Sequence, residues 1–318
     1  MKNLLVLTLS SVALAAALPP LRAQSVEFTA ASRVEGMYNA EEKDFGWGAS
    51  SFYTYLDGEI GEHWSYSICN HWLNSNPKYL YQDFKYAEEV DFLDWASITY
   101  STGNWEFTLG KDGLTLDSYE IMPDDIDSYE ATLGVMWNSL SAYQWGGMAS
   151  YAFDDANSLE LRVCSSPFTV HYFDEVMTSL FWRGNPTGSW TTVWGASYDT
   201  GDRQFITLSN RFGGDRLFGT LESYTGFNGF EAQTNEEAVS LTWAPSEKFS
   251  LTGRCGAWGF KGQGYDVFYG GAVAEYKPLA GSDSFFSDLR FHVSAAYNDI
   301  FGGFVGVFGI TCPLTWSK

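Results

Sequence analysis

From Asp288 to Asn298 the chain alternates with a period of two. Leu289, Phe291, Val293, Ala295 and Tyr297 fall on one side, and Asp288, Arg290, His292, Ser294, Ala296 and Asn298 on the other. Successive side chains of a β-strand point to opposite faces, so this rhythm requires an extended chain with one apolar and one polar face. It recurs in Ser158–Cys164, where Leu159, Leu161 and Val163 oppose Ser158, Glu160, Arg162 and Cys164. It recurs in Ala238–Ala244 around Val239, Leu241 and Trp243, and in Phe249–Trp258, where Arg254 takes the polar phase.

Extending the pattern predicts sixteen strands. They are 25–39, 48–61, 64–75, 91–102, 105–112, 141–153, 158–168 and 176–185 in the first half. In the second half they are 189–200, 203–212, 216–226, 236–244, 249–259, 266–277, 288–298 and 303–316. Connections after the even-numbered strands are mostly short and rich in turn formers, as at Gly103-Asn104 and Asp154–Asn157. Many of those after the odd-numbered strands are longer, notably Asn76–Val90 and Gly113–Leu140. Pro278–Ser287 is a long connection where a short one is expected, which leaves the strand count open by two.

An apolar face repeated on strand after strand suits lipid, and the opposite face suits water. Aromatic residues make up 18% of the chain, yet overall hydrophobic content is 45%, as in a soluble protein. A transmembrane barrel accounts for both, with aromatic girdles at the interfaces and a polar lumen. Beyond the first residues no run approaches the roughly 20 apolar residues of a spanning helix. Lipid tolerates only helices and closed barrels, so the chain is either such a barrel or an exported soluble β-protein. A soluble sandwich would turn a polar face outward, and no blade-length repeat supports a propeller.

Residues 1–23 read as a secretory signal peptide: Lys2, an apolar Leu4–Leu18 and Ala23 before cleavage. Residues 24–318 then form one transmembrane barrel domain. The formal charge is −21, or −23 without Lys2 and Arg22, which disfavours nucleic acid as a partner. Cys69, Cys164, Cys255 and Cys312 have no metal-ligand spacing and fall on strands that are not neighbours, so no disulfide is expected. No nucleophile elbow, HExxH, Walker loop or dinucleotide loop occurs, and His63, His71, His171 and His292 lie far apart, so no enzyme is expected. No cofactor or metal is expected either.

Asp112–Glu130 is the most charged stretch. It holds Asp112, Asp117, Glu120, Asp124, Asp125, Asp127 and Glu130 and no Lys or Arg. Three readings stand open: a loop folded into the lumen, a solvated outer loop, or a Ca²⁺ site without EF-hand spacing. Arg162, Arg254, Arg290 and His292, all in the polar phase of their strands, are the candidate basic wall facing such a loop.

Three stretches carry a family resemblance. Asp94–Gly110 (DWASITYSTGNWEFTLG) runs into Lys111 and resembles a porin strand, tight turn and strand before the long loop. Ser158–Phe168 (SLELRVCSSPF) and Asn185–Thr200 (NPTGSWTTVWGASYDT) resemble segments of the phosphate-selective porin O/P-like family of Bacteroidetes-type bacteria, with Ser165 in place of its Asn. The resemblance implies a sixteen-stranded outer-membrane porin, often a homotrimer, set in lipid and lipopolysaccharide and passing small solutes. It also implies that the long acidic loop after strand 5 folds inward and narrows the pore. With 18 Lys plus Arg against 39 Asp plus Glu, phosphate selectivity does not carry over. The expectation is passive diffusion of small hydrophilic solutes or ions with weak cation preference. The rival is a structural or surface-binding barrel, of adhesin or receptor type, with a plugged lumen.

Overall fold

The computed structural model describes residues 23–47, 50–74, 92–119, 132, 134–141, 143–169, 171–229, 231–299 and 302–318. Its strands are β1 (Ala23–Asn39), β2 (Asp44–Trp47), β3 (Ser51–Ile60), β4 (Trp64–Asn74), β5 (Leu93–Thr102) and β6 (Trp105–Asp112). After a short helix α1 (Val135–Ser139) come β7 (Gln144–Asp154), β8 (Asn157–Ser165), β9 (Val176–Gly184), β10 (Trp190–Asp199) and β11 (Arg203–Gly213). The chain continues through β12 (Leu217–Asn228), β13 (Glu231–Ser246), β14 (Phe249–Phe260), β15 (Gly264–Tyr276), β16 (Arg290–Asn298) and β17 (Gly303–Ser317).

From β3 onward each strand pairs antiparallel with the next, and β1 pairs with β17 from Glu27↔Ser317 to Asn39↔Val305, which closes the sheet. β2 and β3 share one lane beside β1: β2 pairs with Gly36–Asn39 and β3 with Ala23–Arg33. The result is a closed sixteen-stranded antiparallel barrel with no free edge. All sixteen expected strands are present, and the long connection at 277–289 is real without altering the count.

The start of β1 and Lys318 lie at one rim, here the terminal rim; the opposite one is the loop rim. At the terminal rim the hairpins are tight except at 277–289, and Gly103 supplies the left-handed backbone (φ +56°) that its two-residue turn needs. The loop rim is less elaborate than expected. Connections 75–92, 113–143 and 166–175 are long, whereas those after β1, β10, β12, β14 and β16 are four residues or fewer.

The two faces separate as the alternation requires. On β16, Arg290, His292, Ser294 and Asn298 are buried in the lumen while Phe291 and Val293 are exposed on the outside. Leu161, Leu180, Leu208, Leu241, Phe308 and Ile310 extend the outer belt around the barrel, an apolar surface that only lipid can cover. Outward aromatic pairs ring the terminal rim, including Phe28–Trp316 (5.7 Å between ring centres), Trp64–Tyr100 (4.7 Å) and Trp105–Tyr151 (4.7 Å). Tyr297–Phe304 and Phe45–Phe308 stand toward the loop rim, so the belt has the two girdles of a membrane barrel. The outer face also carries polar groups. Glu237 on β13 accepts hydrogen bonds from Ser223 (2.8 Å) and Asn235 (3.0 Å), and Asn235 in turn meets Tyr265 (2.9 Å). The four cysteines are free thiols on β4, β8, β14 and β17. The signal segment, apart from Ala23, lies outside the described residues.

Candidate functional site

The lumen is lined by the polar phase of sixteen strands, and the described ends of the connection between β6 and β7, residues 113–119 and 134–141, lie against the inner wall. Leu114 and Leu116 near its start, with Met136 and Leu140 near its end, pack against inward Cys164, Met177, Phe205 and Tyr224 of β8, β9, β11 and β12. An apolar patch inside a water-facing wall is otherwise unfavourable, so these four wall residues make sense only as a seat for the loop.

Polar contacts fix the register of that seat. Ser118 accepts a 2.6 Å hydrogen bond from the Tyr224 hydroxyl, and the Tyr119 amide donates to Ser209 Oγ at 2.9 Å. Asp117 is buried against the guanidinium groups of Arg162 and Arg183. Glu160 sits 2.5 Å from Arg162 and from Arg183, completing a cluster of two carboxylates and two guanidinium groups. The Arg162 guanidinium also lies over the Phe181 ring at 4.9 Å. Phe181 itself occupies the space above Gly195, where a Cβ would meet the ring at 2.1 Å.

At the far end of the loop the carboxylate of Glu236, from β13, caps α1. It accepts the amides of Val135 (3.0 Å) and Met136 (2.7 Å) and the Tyr269 hydroxyl (2.6 Å). An anion at a helix N-terminus satisfies amides that have no intrahelical partner. Gly134 makes this approach possible, because a Cβ there would lie 1.7 Å from Glu236 Oε1.

The residues singled out from sequence divide between two places. Arg162 meets Asp117 in the lumen. Asp112 caps its own turn, accepting the Gly113 amide at 2.7 Å. Arg290 and His292 point inward as their phase requires, but their partners are wall carboxylates: Arg290 with Glu275 (3.4 Å) and His292 with Glu35 (2.8 Å), which also meets Arg33 (3.5 Å). Arg254 is inward on β14, opposite Ser240 and Gly271. Glu120, Asp124, Asp125, Asp127 and Glu130 lie outside the described residues. Sequence reasoning missed Arg183, Glu160, Glu236 and Tyr269. Arg183 was legible in principle, since it is the charged residue at the end of an apolar strand beside Ser158–Cys164.

A closed sixteen-stranded antiparallel barrel of this kind matches the porin fold. Comparisons agree at the level of fold. The chain is similar to the loop L8 deletion variant of OmpT, an outer membrane protein of Vibrio cholerae (12% identity, TM-score 0.59, 92% of this chain and 99% of that one). It is similar to a refined porin structure (13%, TM-score 0.61, 91% and 100%) and to Acinetobacter baumannii OccAB4 (8%, TM-score 0.54, 94% and 100%). No protein-family model and no curated protein matches the sequence.

Proposed function

We propose that this chain is an outer-membrane porin through which small hydrophilic solutes diffuse passively, narrowed by the connection between β6 and β7. The observation that carries the reading is the double attachment of that connection to the inner wall, by Asp117 at one end and the Glu236 cap at the other. A loop tied across a lumen sets its aperture. Its acidic stretch, Asp112 and Asp117 with Glu120, Asp124, Asp125, Asp127 and Glu130, would face a wall bearing Arg254, Arg290 and His292. Such opposed charges create a transverse field that filters ions. The excess of carboxylates assigns a weak cation preference. Residues 1–23 would direct export and be removed. The barrel would stand in outer-membrane lipid and lipopolysaccharide as a homotrimer, with no cofactor and no covalent step.

Reconstitution in a planar bilayer tests this. Discrete conductance steps with a reversal potential favouring cations across a salt gradient are expected. A specific observation favours a second reading, a plugged surface-binding barrel: Ser209, Glu222 and Glu236 on the wall beneath the loop are wholly shielded. Silent bilayers from correctly folded protein would decide for the plug.

A further inference from the structure

The wall on the other side of the lumen is built differently. Toward the terminal rim, β1, β3, β4 and β5 bound a cavity of about 460 Å³, within the ~300–1,000 Å³ of small-molecule sites. Glu27, Asp57 and Glu59 supply carboxylates to it, and Ser65, Ser67, Ser97 and Thr99 supply hydroxyls. Lys318, at the chain end, is the sole Lys or Arg on its boundary.

A column of rings rises from this cavity along the inner face. The Trp95 indole N–H donates to Ser67 Oγ at 2.7 Å, which fixes the ring directly over the lining. Tyr55 lies next to Trp95 (5.6 Å between centres), Tyr53 next to Tyr55 (5.9 Å), and His71 stacks on Tyr53 (4.0 Å). Asp57 and Tyr55 are successive inward residues of β3, so carboxylate and ring stand side by side.

A pyranose has this chemistry in mirror image. Its C–H face is apolar and its edge is a row of vicinal hydroxyls. Aromatic faces, negative at the centre, take up the polarised C–H groups. Carboxylates accept paired hydrogen bonds from neighbouring hydroxyls, and Ser and Thr both donate and accept. An anionic solute would be repelled by the three carboxylates; a cation would be drawn to carboxylates and ring faces but would leave the row of Ser and Thr hydroxyls unused, whereas a polyhydroxylated ring engages all three. We propose that this wall is a binding subsite for a neutral linear carbohydrate, which follows the rings through the lumen. The proposal names a solute class for the pore and therefore rests on the porin reading.

The experiment adds maltohexaose to the bilayer-reconstituted protein. Concentration-dependent, transient interruptions of the open current are expected. Trp95→Ala should raise the half-blocking concentration at least tenfold, and Asp57→Asn by a few-fold, each read as block of that variant's own open current. Block by spermidine but not by maltohexaose would overturn the proposal in favour of a cation site. An open channel that maltohexaose leaves undisturbed, or equal block in Trp95→Ala, would also overturn it. If the protein conducts no current, the porin reading fails instead. Calorimetric titration of maltohexaose into the detergent-solubilised barrel then reads the subsite alone, heat of binding supporting it and its absence overturning it.

Discussion

The two inner walls of the barrel differ as a socket differs from a lining. From β8 to β13 the inward positions alternate polar groups with large apolar ones, Met177, Phe181, Phe205 and Tyr224, and nearly all are shielded by the loop or by each other. Toward the terminal rim of β1, β3, β4 and β5 the inward Glu27, Asp57, Glu59, Ser65, Ser67, Ser97 and Thr99 stand open or half-open toward the cavity. Charges follow the same division. On the covered wall Arg162 and Arg183 are neutralised by Asp117 and Glu160, as burial demands. On the open wall Asp57 and Glu59 can stay solvated. A lumen-facing position thus has two possible environments, and whether its neighbours include inward apolar residues tells which one it occupies.

The sharpest way to break the contrast is to strip the covered wall of its central cation. Arg162→Ala leaves the buried Asp117 and Glu160 sharing Arg183 alone. Losing one member of a buried ion cluster costs ~3–5 kcal/mol. The strands have their own ladders, so the loss should fall on the loop and not on the barrel. Single-channel recording should show a larger, noisier conductance, and limited digestion with a Glu-specific protease should cut the loop at Glu120 or Glu130 while heat-modifiability of the barrel persists. Unchanged conductance and protection would mean that the cluster does not hold the loop.

A smaller effect is expected at the other attachment. Glu236→Ala strands two α1 amides and the Tyr269 hydroxyl, at about 1–3 kcal/mol for each buried group left unpaired. Gly134→Ala drives a methyl into the same carboxylate. Both should raise flicker in the open current without changing its mean as much as Arg162→Ala does. A methyl at 134 also meets the Tyr269 ring, a clash that removing Glu236 does not relieve, so the double variant should be worse than Glu236→Ala alone but less than additive.

The barrel itself was legible because lipid imposes the same alternation on every strand. Legibility fails where lipid stops acting. Glu231–Asn235 opens β13 but was read as loop, since both its faces are polar above the apolar belt. The outward network of Asn235, Glu237 and Tyr265 shows why: these side chains satisfy one another instead of facing hydrocarbon. Asp44–Trp47 escaped notice for a related reason. It is four residues long, fully exposed, and pairs only with the end of β1. Within the site, Arg162 could be picked out because its strand alternates cleanly. Glu236 could not, because what makes it special is a helix more than ninety residues earlier in the chain. Arg290 and His292 had the right phase, but phase gives the face of a residue and not its partner on a closed wall.

The smallest expected effect lies on the open wall, and it separates the two walls most cleanly. Asp57→Asn and Glu59→Gln remove charge from groups in contact with solvent, where screening over roughly 8–10 Å at physiological salt limits the influence of each. Neither is among the described residues that attach or seat the loop, so conductance at high salt and thermal stability should match the parent barrel. At low salt the reversal potential should move toward anions by a modest amount, additively for the two sites. The same neutralisation on the covered wall, Glu160→Gln, leaves one net positive charge in a cluster shielded from the lumen water, so it should move the reversal potential less than either open-wall change. Equal shifts from both walls would erase the distinction between socket and lining.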